Sequence, residues 1–544
     1  MDSIGENSPI ARNKLYWLTP LAFLIGSVLL YSLNLDRVPH HDELYHILAA
    51  RGILEFGEPR IADGLYERVY GFTWLLSRVF NAFGDSLALA RLPSVVAMAA
   101  LVCLMFVWVR QFAGARAAFI GTILFAISPF AVDIALFTRF YSLQALLFFC
   151  GACLVYSAVD GCSKRRLYYL FPAVLALLGA LYLQTTTAIG VLGIIVWLVI
   201  RVGGPGILSS SVALRKNLAV LWAVCLIGLA AAVWSGLLAR VWEMYRAVPL
   251  FNKGTANEFW YYYVEYLKNY PTLWPAIAVV GLVAISYRAK LAGFAIVVFL
   301  TSFLFSSFAA AKNLRYIVYA QPFIFVFVGI GLAAMLTPLL GWLKTIRERI
   351  VSELPIGVNI ARTGLNFALA GAVIFLVVGN PGFARAIAIL GDFPSKSDWY
   401  SVEAEIVPWF DRVDIIVTQA ELEMLYYYGE YDVLYSPSRL GENPGAVDFD
   451  SDFRTGKPVI GSLAAMNRVF NCYSTGIFIT PASRWRNPPY VSTEVANLIE
   501  SNTETLSLPP GSKMLAFMWN RKDDVLLKDE CNALPTFRLP VSSE

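Results

Sequence analysis

The sequence predicts a polytopic α-helical membrane protein with a C-terminal α/β domain, and three observations carry that prediction. Hydrophobic residues fill 58% of the 544 positions and the mean hydropathy is +0.60, too apolar for one water-soluble core. Apolar runs recur along the chain, and about eleven approach the roughly 20 residues that a helix needs to cross a bilayer. From about Gly382 the composition turns into that of a soluble domain of roughly 160 residues, a usual domain size.

The apolar runs centre near Phe23, Met105, Leu124, Phe148, Leu177, Ile195, Ile227, Val279, Phe299, Val326 and Ile374. Cytoplasmic loops retain positive charge, which gives them an orientation. Arg12 and Lys14 precede the first run. Taking that end as cytoplasmic puts Arg110 with Arg116, Lys164-Arg165-Arg166, Arg201 with Arg215 and Lys216, Arg288 with Lys290, and Lys344 with Arg347 and Arg349 on the same side. The remaining loops and the C-terminal domain then face outward. No cleavable signal peptide is expected, since the first run passes into Leu33-Asn34-Leu35-Asp36 without a small-residue cleavage site. A net charge of +4 calls for no nucleic-acid partner. Cys103, Cys150, Cys153 and Cys225 fall in apolar runs, where cysteine acts as a small apolar residue. Cys472 and Cys531 lie in the outward region, where an oxidising compartment permits a bridge.

The first outer loop, from about Asn34 to Arg91, is far longer than a connection needs, and long structured loops usually carry function. Within it, Glu43 to Phe56 places Leu44, Ile47, Leu48, Ile53 and Leu54 at helical spacing, as in a helix lying on a membrane surface. Tyr70 to Leu76 has a similar interfacial character. The outer loop from Trp242 to Trp274 is dense in aromatic residues, which suits a headgroup belt or stacking against a sugar or lipid chain. The division expected is therefore a transmembrane part, 1–381, that includes the 34–91 loop, and an outward domain, 382–544. In the latter, strand-like Asp414-Ile415-Ile416-Val417 and Gly476-Ile477-Phe478-Ile479-Thr480 alternate with helical Ala420–Tyr428 and Ser462–Phe470, the pattern of an α/β layer with a partly parallel sheet. No glycine-rich phosphate loop accompanies it, so no nucleotide is assigned.

All three histidines of the chain fall within His40-His41-Asp42-Glu43-Leu44-Tyr45-His46, just past the first apolar run. A carboxylate there suits a general base that deprotonates an acceptor hydroxyl as it attacks a sugar carbon, and the second suits a divalent cation or acceptor orientation. Imidazoles at His40, His41 and His46 would complete a metal site or bind phosphate. A zinc-protease signature is not met, and Glu43-Leu44-Tyr45-His46 lacks the second Glu-x-x-His of carboxylate-bridged metal bundles. Helix capping is the plainer account of the same residues. Further polar outliers interrupt apolar runs at their outer ends: Asp133, Thr138-Arg139-Phe140-Tyr141-Ser142 and Lys312-Asn313-Leu314-Arg315-Tyr316. Arg139, Lys312 and Arg315 together suit a phosphodiester, and a lipid phosphate is the anion most available at that depth; headgroup snorkelling is the alternative for each alone.

The order Asp42-Glu43, Ala90-Arg91-Leu92-Pro93-Ser94, Arg139-Phe140-Tyr141 and Lys312-Asn313-Leu314-Arg315-Tyr316 resembles the GT-C membrane glycosyltransferases, in particular bacterial relatives of protein O-mannosyltransferases and lipid A aminoarabinose transferases. The resemblance covers about Leu15 to Met335. It implies a bacterial inner-membrane enzyme, active on the periplasmic face, that moves a hexose or pentose from a polyprenyl phosphate to an extracytoplasmic lipid, glycan or protein acceptor with inversion. It further implies Asp42 as base with Glu43 beside it, Arg68, Arg139, Tyr141, Lys312 and Arg315 on the donor phosphate, and Glu67 as a metal ligand. A divalent metal is allowed but not required. Where many relatives carry a histidine in a Tyr-Thr-His-Tyr-like turn, this chain reads Tyr182-Leu183-Gln184-Thr185-Thr186, so a metal site built on that histidine would be lost, or rebuilt from His46. Leu425-Tyr426-Tyr427-Tyr428-Gly429 and Thr455-Gly456-Lys457-Pro458-Val459-Ile460 resemble the soluble domain of some bacterial members. The rival reading is a transporter or flippase of lipid-linked saccharides, which would favour repeats and mid-membrane helix breaks that the sequence does not display. A binding scaffold that recruits envelope partners is the third.

Overall fold

The computed structural model describes residues 15–161, 166–203, 230–231, 233–246, 258–351, 374–376, 379–391, 398–442 and 447–521, with positions 228, 371 and 531. Arg12, Lys14, Lys164, Arg165, Arg215, Lys216, Cys225 and the run centred on Ile227 lie outside the described residues. The chain divides into two compact units: Met1–Leu35 with Arg91–Asp392, and Asp36–Ala90 with Phe393–Glu544. The first outer loop thus folds with the C-terminal domain, a grouping for which the sequence had no signal.

In chain order the first helices are α1 (Leu15–Tyr31), α2 (His41–Phe56), α3 (Tyr70–Phe83), α4 (Leu87–Ala113), α5 (Ala115–Ala126), α6 (Pro129–Ala135), α7 (Tyr141–Asp160), α8 (Arg166–Leu183) and α9 (Thr187–Leu198). Longer helices follow at Ile277–Phe308 and Gln321–Val351, the latter preceded by a 3₁₀ turn at Leu314–Ala320. Among the described residues four helical stretches are long and apolar enough to cross a membrane: Leu87–Ala113, Tyr141–Asp160, Ile277–Phe308 and Leu314–Pro338. The pair α5 and α6, bent by 59°, makes a fifth if it counts as one span. The runs centred on Phe23, Leu177 and Ile195 form shorter apolar helices, and Pro381–Gly391 adds one that the sequence had not suggested.

The differences have local causes. Ser128 stops α5 and caps α6, its hydroxyl accepting from the Ala131 N–H at 3.2 Å with Pro129 in the first turn. Val279 and Phe299, expected in separate spans, share Ile277–Phe308, which breaks at Arg288 (φ −142°, ψ 62°). Loop charges gather at that break. Asp160 pairs with Arg201 at 2.6 Å and lies 3.7 Å from Lys290, so Arg201 and Lys290, expected on one side, meet at the end of α7.

Close helix packing in this unit rests on small residues. A Cβ on Gly329 would lie 2.6 Å from the Gly121 Cα, so α5 and Gln321–Val351 meet backbone to backbone. Aromatic rings fill the rest: Trp108, Tyr156, Trp197 and Phe294 form one cluster of edge-on and tilted contacts. Tyr262, Tyr266 and Tyr270 of the aromatic loop are buried, Tyr266 against Trp274 and Phe299, so these three act as core, whereas Trp260 and Tyr263 are exposed.

The second unit is built on a seven-stranded sheet in the order β5-β6-β4-β3-β7-β9-β8. Its parallel centre comprises β3 (Ile415–Thr418), β4 (Val433–Tyr435), β6 (Pro458–Ile460) and β7 (Thr475–Pro481). The antiparallel edges are β5 (Asp450–Ser451) on one side, and β9 (Met514–Asn520) with β8 (Glu504–Thr505) on the other. Every residue of β3 is buried, as in a central strand covered on both faces. Helices Leu463–Cys472 and Thr493–Asn502, capped by the Ser462 and Ser492 hydroxyls, pack on one face. A disulfide joins Cys472 to Cys531. Helix Glu421–Tyr427 lies under α2: Leu422 is buried in a cluster with Leu44, Tyr45, Ile47, Leu48 and Leu76, and the short hairpin β1 (Arg60–Ile61) and β2 (Gly64–Leu65) closes its edge. Of the apolar positions of α2 expected on a membrane surface, Leu44, Ile47, Leu48 and Ile53 are therefore spent inside this unit, and Leu54 stays exposed.

Candidate active site

The histidine segment becomes the first turn of α2. His40 takes the N-cap place, where serine or threonine is usual: its Nδ1 accepts from the Asp42 N–H at 3.1 Å, and the Glu43 carboxylate accepts from the His40 N–H at 2.8 Å. Glu43 is fully buried and so serves the cap that the plainer reading anticipated. Asp42 keeps a side chain 25% exposed, its Oδ2 3.9 Å from His40 Nδ1. The helix N-terminus favours negative charge on that side chain.

His41 does not face the same partners. Its Nδ1 lies 3.1 Å from Glu423 Oε2 and its Nε2 3.8 Å from Glu421 Oε1. Burial lowers the His41 pKa, but the two carboxylates outweigh burial and the opposing Arg484 charge, so it ends raised. Burial in turn raises the Glu423 pKa, yet His41 and Arg484 hold it down to about 2. One turn further on, the Tyr45 hydroxyl accepts from Arg439 Nη2 at 3.0 Å and from Arg454 Nη1 at 2.5 Å, while Arg439 also grips Glu421 and Asp452. The sequence offered no cue to this network, because charged residues in an α/β domain ordinarily sit in water.

The candidate metal ligands do not gather. His46 is fully buried, its Nδ1 2.8 Å from the Thr73 hydroxyl and its ring edge-on to Tyr66 and Phe72. Glu67 and Arg68 are exposed in the turn before α3. Among the described residues no three His, Cys, Asp or Glu side chains come together as a metal would need. The residues present do not fit such a site.

The basic residues belong to the first unit. Ser94 in α4 donates to the carbonyls of Phe137 (2.8 Å) and Arg139 (3.1 Å), and Ser142 donates to that of Ile134 (3.0 Å), which pins the Thr138–Tyr141 turn. Arg91 is buried and donates to the Leu35 carbonyl at 2.6 Å, a structural role for the Arg-Leu-Pro-Ser segment. Arg139 is buried, its guanidinium 5.3 Å from the Phe140 ring. Tyr141 is also buried and stacks on Phe137. The Arg315 guanidinium lies 5.9 Å from that same Phe137 ring, so the two basic segments share one region. Lys312 is buried as well, and burial lowers its pKa, a state that a neighbouring anion would reverse. Asp133 is exposed on α6. The Gln184–Thr186 turn is tied in by Tyr319 donating to the Thr186 carbonyl at 3.1 Å.

The family model described as dolichyl-phosphate-mannose-protein mannosyltransferase matches residues 69–234. No curated protein sequence matches the chain. Among solved structures, ArnT from Cupriavidus metallidurans bound to undecaprenyl phosphate superposes with a TM-score of 0.57 at 14% identity, covering 92% of this chain and 98% of its own. The chain shares its fold with this undecaprenyl phosphate-bound structure, and the family-model match covers under a third of the chain's length. The archaeal oligosaccharyltransferase AglB from Archaeoglobus fulgidus, in complex with an inhibitory peptide and a dolichol-phosphate, follows with a TM-score of 0.52 at 12% identity, over 94% of this chain and 75% of its own. At such identities these likenesses establish a shared fold. The shared fold fits the first unit, with its apolar helices long enough to cross a membrane, and the family-model match includes the Arg139-Phe140-Tyr141 segment.

Proposed function

We propose that the chain transfers a sugar from a polyprenyl phosphate to an extracytoplasmic lipid, glycan or protein acceptor, with inversion, at the periplasmic face of a bacterial inner membrane. One observation carries this reading: buried Arg139 and Lys312 and half-buried Arg315 occupy segments that meet at Phe137, in a fold shared with a protein bound to undecaprenyl phosphate. In the proposed reaction the bond from the anomeric carbon to the phosphate oxygen breaks, and its electron pair stays on the phosphate. Charge develops there, so fixed cations lower the barrier more than they tighten ground-state binding. Tyr141 and Arg68 are the further donor contacts in this proposal. Asp42 takes the proton of the acceptor hydroxyl as the new glycosidic bond forms on the opposite face of that carbon, with Glu43 fixing the helix cap beside it. The phosphate-linked sugar is already activated, so the reaction calls for no nucleotide.

The test starts from a deletion strain, where mass spectrometry of envelope glycolipids and glycoproteins reveals the missing sugar. Complementation with Asp42→Asn should leave that product about 10²–10⁴-fold below the wild-type rate, the usual worth of a general base, while the purified variant binds undecaprenyl phosphate as the wild type does. Wild-type product from Asp42→Asn would remove the base assignment. Unchanged envelope composition in the deletion strain, with saccharide-lipid flux altered instead, would favour transport.

A further inference from the structure

The network around α2 joins two parts of the second unit that lie far apart in sequence. His41 and Tyr45 flank Asp42, one position before it and three after it. Both are held by the C-terminal domain. Glu423, which takes His41, is itself fixed by Arg484 at 3.0 Å, and Arg484 donates in addition to the Gln419 carbonyl and side chain. Arg439, which takes Tyr45, is fixed by Glu421 and Asp452, and Asp452 accepts from the Thr455 hydroxyl at 2.9 Å. Tyr45, Glu421, Arg439 and Asp452 are all buried.

Apolar packing through Leu422 also holds α2 to the domain, and it costs less than burying ions. What ionic contacts add is register. A helix turns by about 100° per residue, so a shift of one position would withdraw both His41 and Tyr45 from their partners at once. A greasy contact tolerates such a slip. Directional hydrogen bonds from groups locked by their own partners do not, and fixing register is the best-attested use of buried polar contacts.

We propose that Glu423 and Arg439 are positioning residues for Asp42, which set the rotation and register of α2 from the C-terminal domain. This rests on the reading of Asp42 as the base. It gives the domain a part in transfer: to hold the carboxylate in one direction while its own residues touch neither sugar nor phosphate. A misplacement of about 1 Å costs on the order of 10²-fold in rate, so slight loosening should be visible.

Tyr45→Phe removes one hydroxyl and keeps the ring, which stacks on Tyr66 at 5.1 Å. Glu423→Gln keeps the shape and removes the charge that faces His41. Each full-length variant would complement the deletion strain and be purified for three measurements: thermal unfolding, undecaprenyl phosphate binding, and hydrogen exchange of the α2 amides. Expected are a tenfold or greater loss of envelope product, undecaprenyl phosphate affinity within about twofold of wild type, and faster exchange confined to α2. If Tyr45→Phe fails to fold because two arginines lose their acceptor, Glu423→Gln decides alone. Wild-type product from a folded Glu423→Gln, with Asp42→Asn inactive, overturns the positioning role and leaves the base standing. An active Asp42→Asn overturns the base instead.

Discussion

At the scale of single residues, neighbours in sequence have separate tasks. Asp42 keeps an exposed edge, Glu43 is buried in a cap, and His41 turns into an ion pair, although all three lie in one turn of helix. The basic residues divide similarly: Arg91 serves a backbone carbonyl, while Arg139 lies over the Phe140 ring and Arg315 over that of Phe137, in the same turn segment. Arg315→Gln should weaken binding of undecaprenyl phosphate about 10- to 100-fold, the worth of a charge-assisted hydrogen bond of about 1.5–3 kcal/mol, and leave the unfolding temperature of the protein in place. Titration of the lipid into protein held in detergent would measure it; equal affinity for variant and wild type would take Arg315 out of the phosphate site.

At the scale of elements, packing of helix on helix depends on positions with no side chain. Gly329→Leu would drive a side chain into α5, where even a Cβ has no room, and should destabilise the first unit by about 1–3 kcal/mol. Thermal unfolding of the full chain checks this, and a variant as stable as wild type would mean that the two helices part easily. Much at this scale was legible in the sequence. Apolar runs marked α4, α7 and the 314–338 stretch, and the alternation of strand and helix marked β3, β7 and Leu463–Cys472. The breaks were not legible, because Ser128-Pro129 and Arg288 sit inside composition windows that average over them. Nor was the fate of α2: its apolar spacing says that one face is covered, and it does not say by what. Of the candidate site, the Thr138–Tyr141 and Lys312–Tyr316 segments stood out because charge is rare in apolar runs, whereas Glu421, Glu423 and Arg439 were hidden among ordinary polar residues.

At the scale of the molecule, the charge network ties the stability of the second unit to pH. His41, raised from 6.5, contributes fully below that value, and the contribution is lost as pH climbs through its folded pKa. Glu423, lowered from 4.5 to about 2, contributes above 4.5, and that share is lost as pH falls towards 2. Stability from the pair should therefore be greatest between those unperturbed values and decline on the alkaline side. Unfolding temperatures of the full chain from about pH 5.5 to about 9 would trace the decline, and His41→Asn should flatten it; matching curves for the two proteins would exclude His41 as the source. The same pair joins positions 382 residues apart. At about 5–20 residues per second of synthesis, the ribosome needs some 20 to 80 s to deliver the partner of His41. For that interval the nascent α2 has emerged without the C-terminal surface that will cover it, and its full burial must await synthesis of that domain. A chain cut short anywhere before residue 421 would leave the Leu422 side of that helix permanently uncovered, a target for quality-control proteases even where every membrane-crossing helix had been inserted.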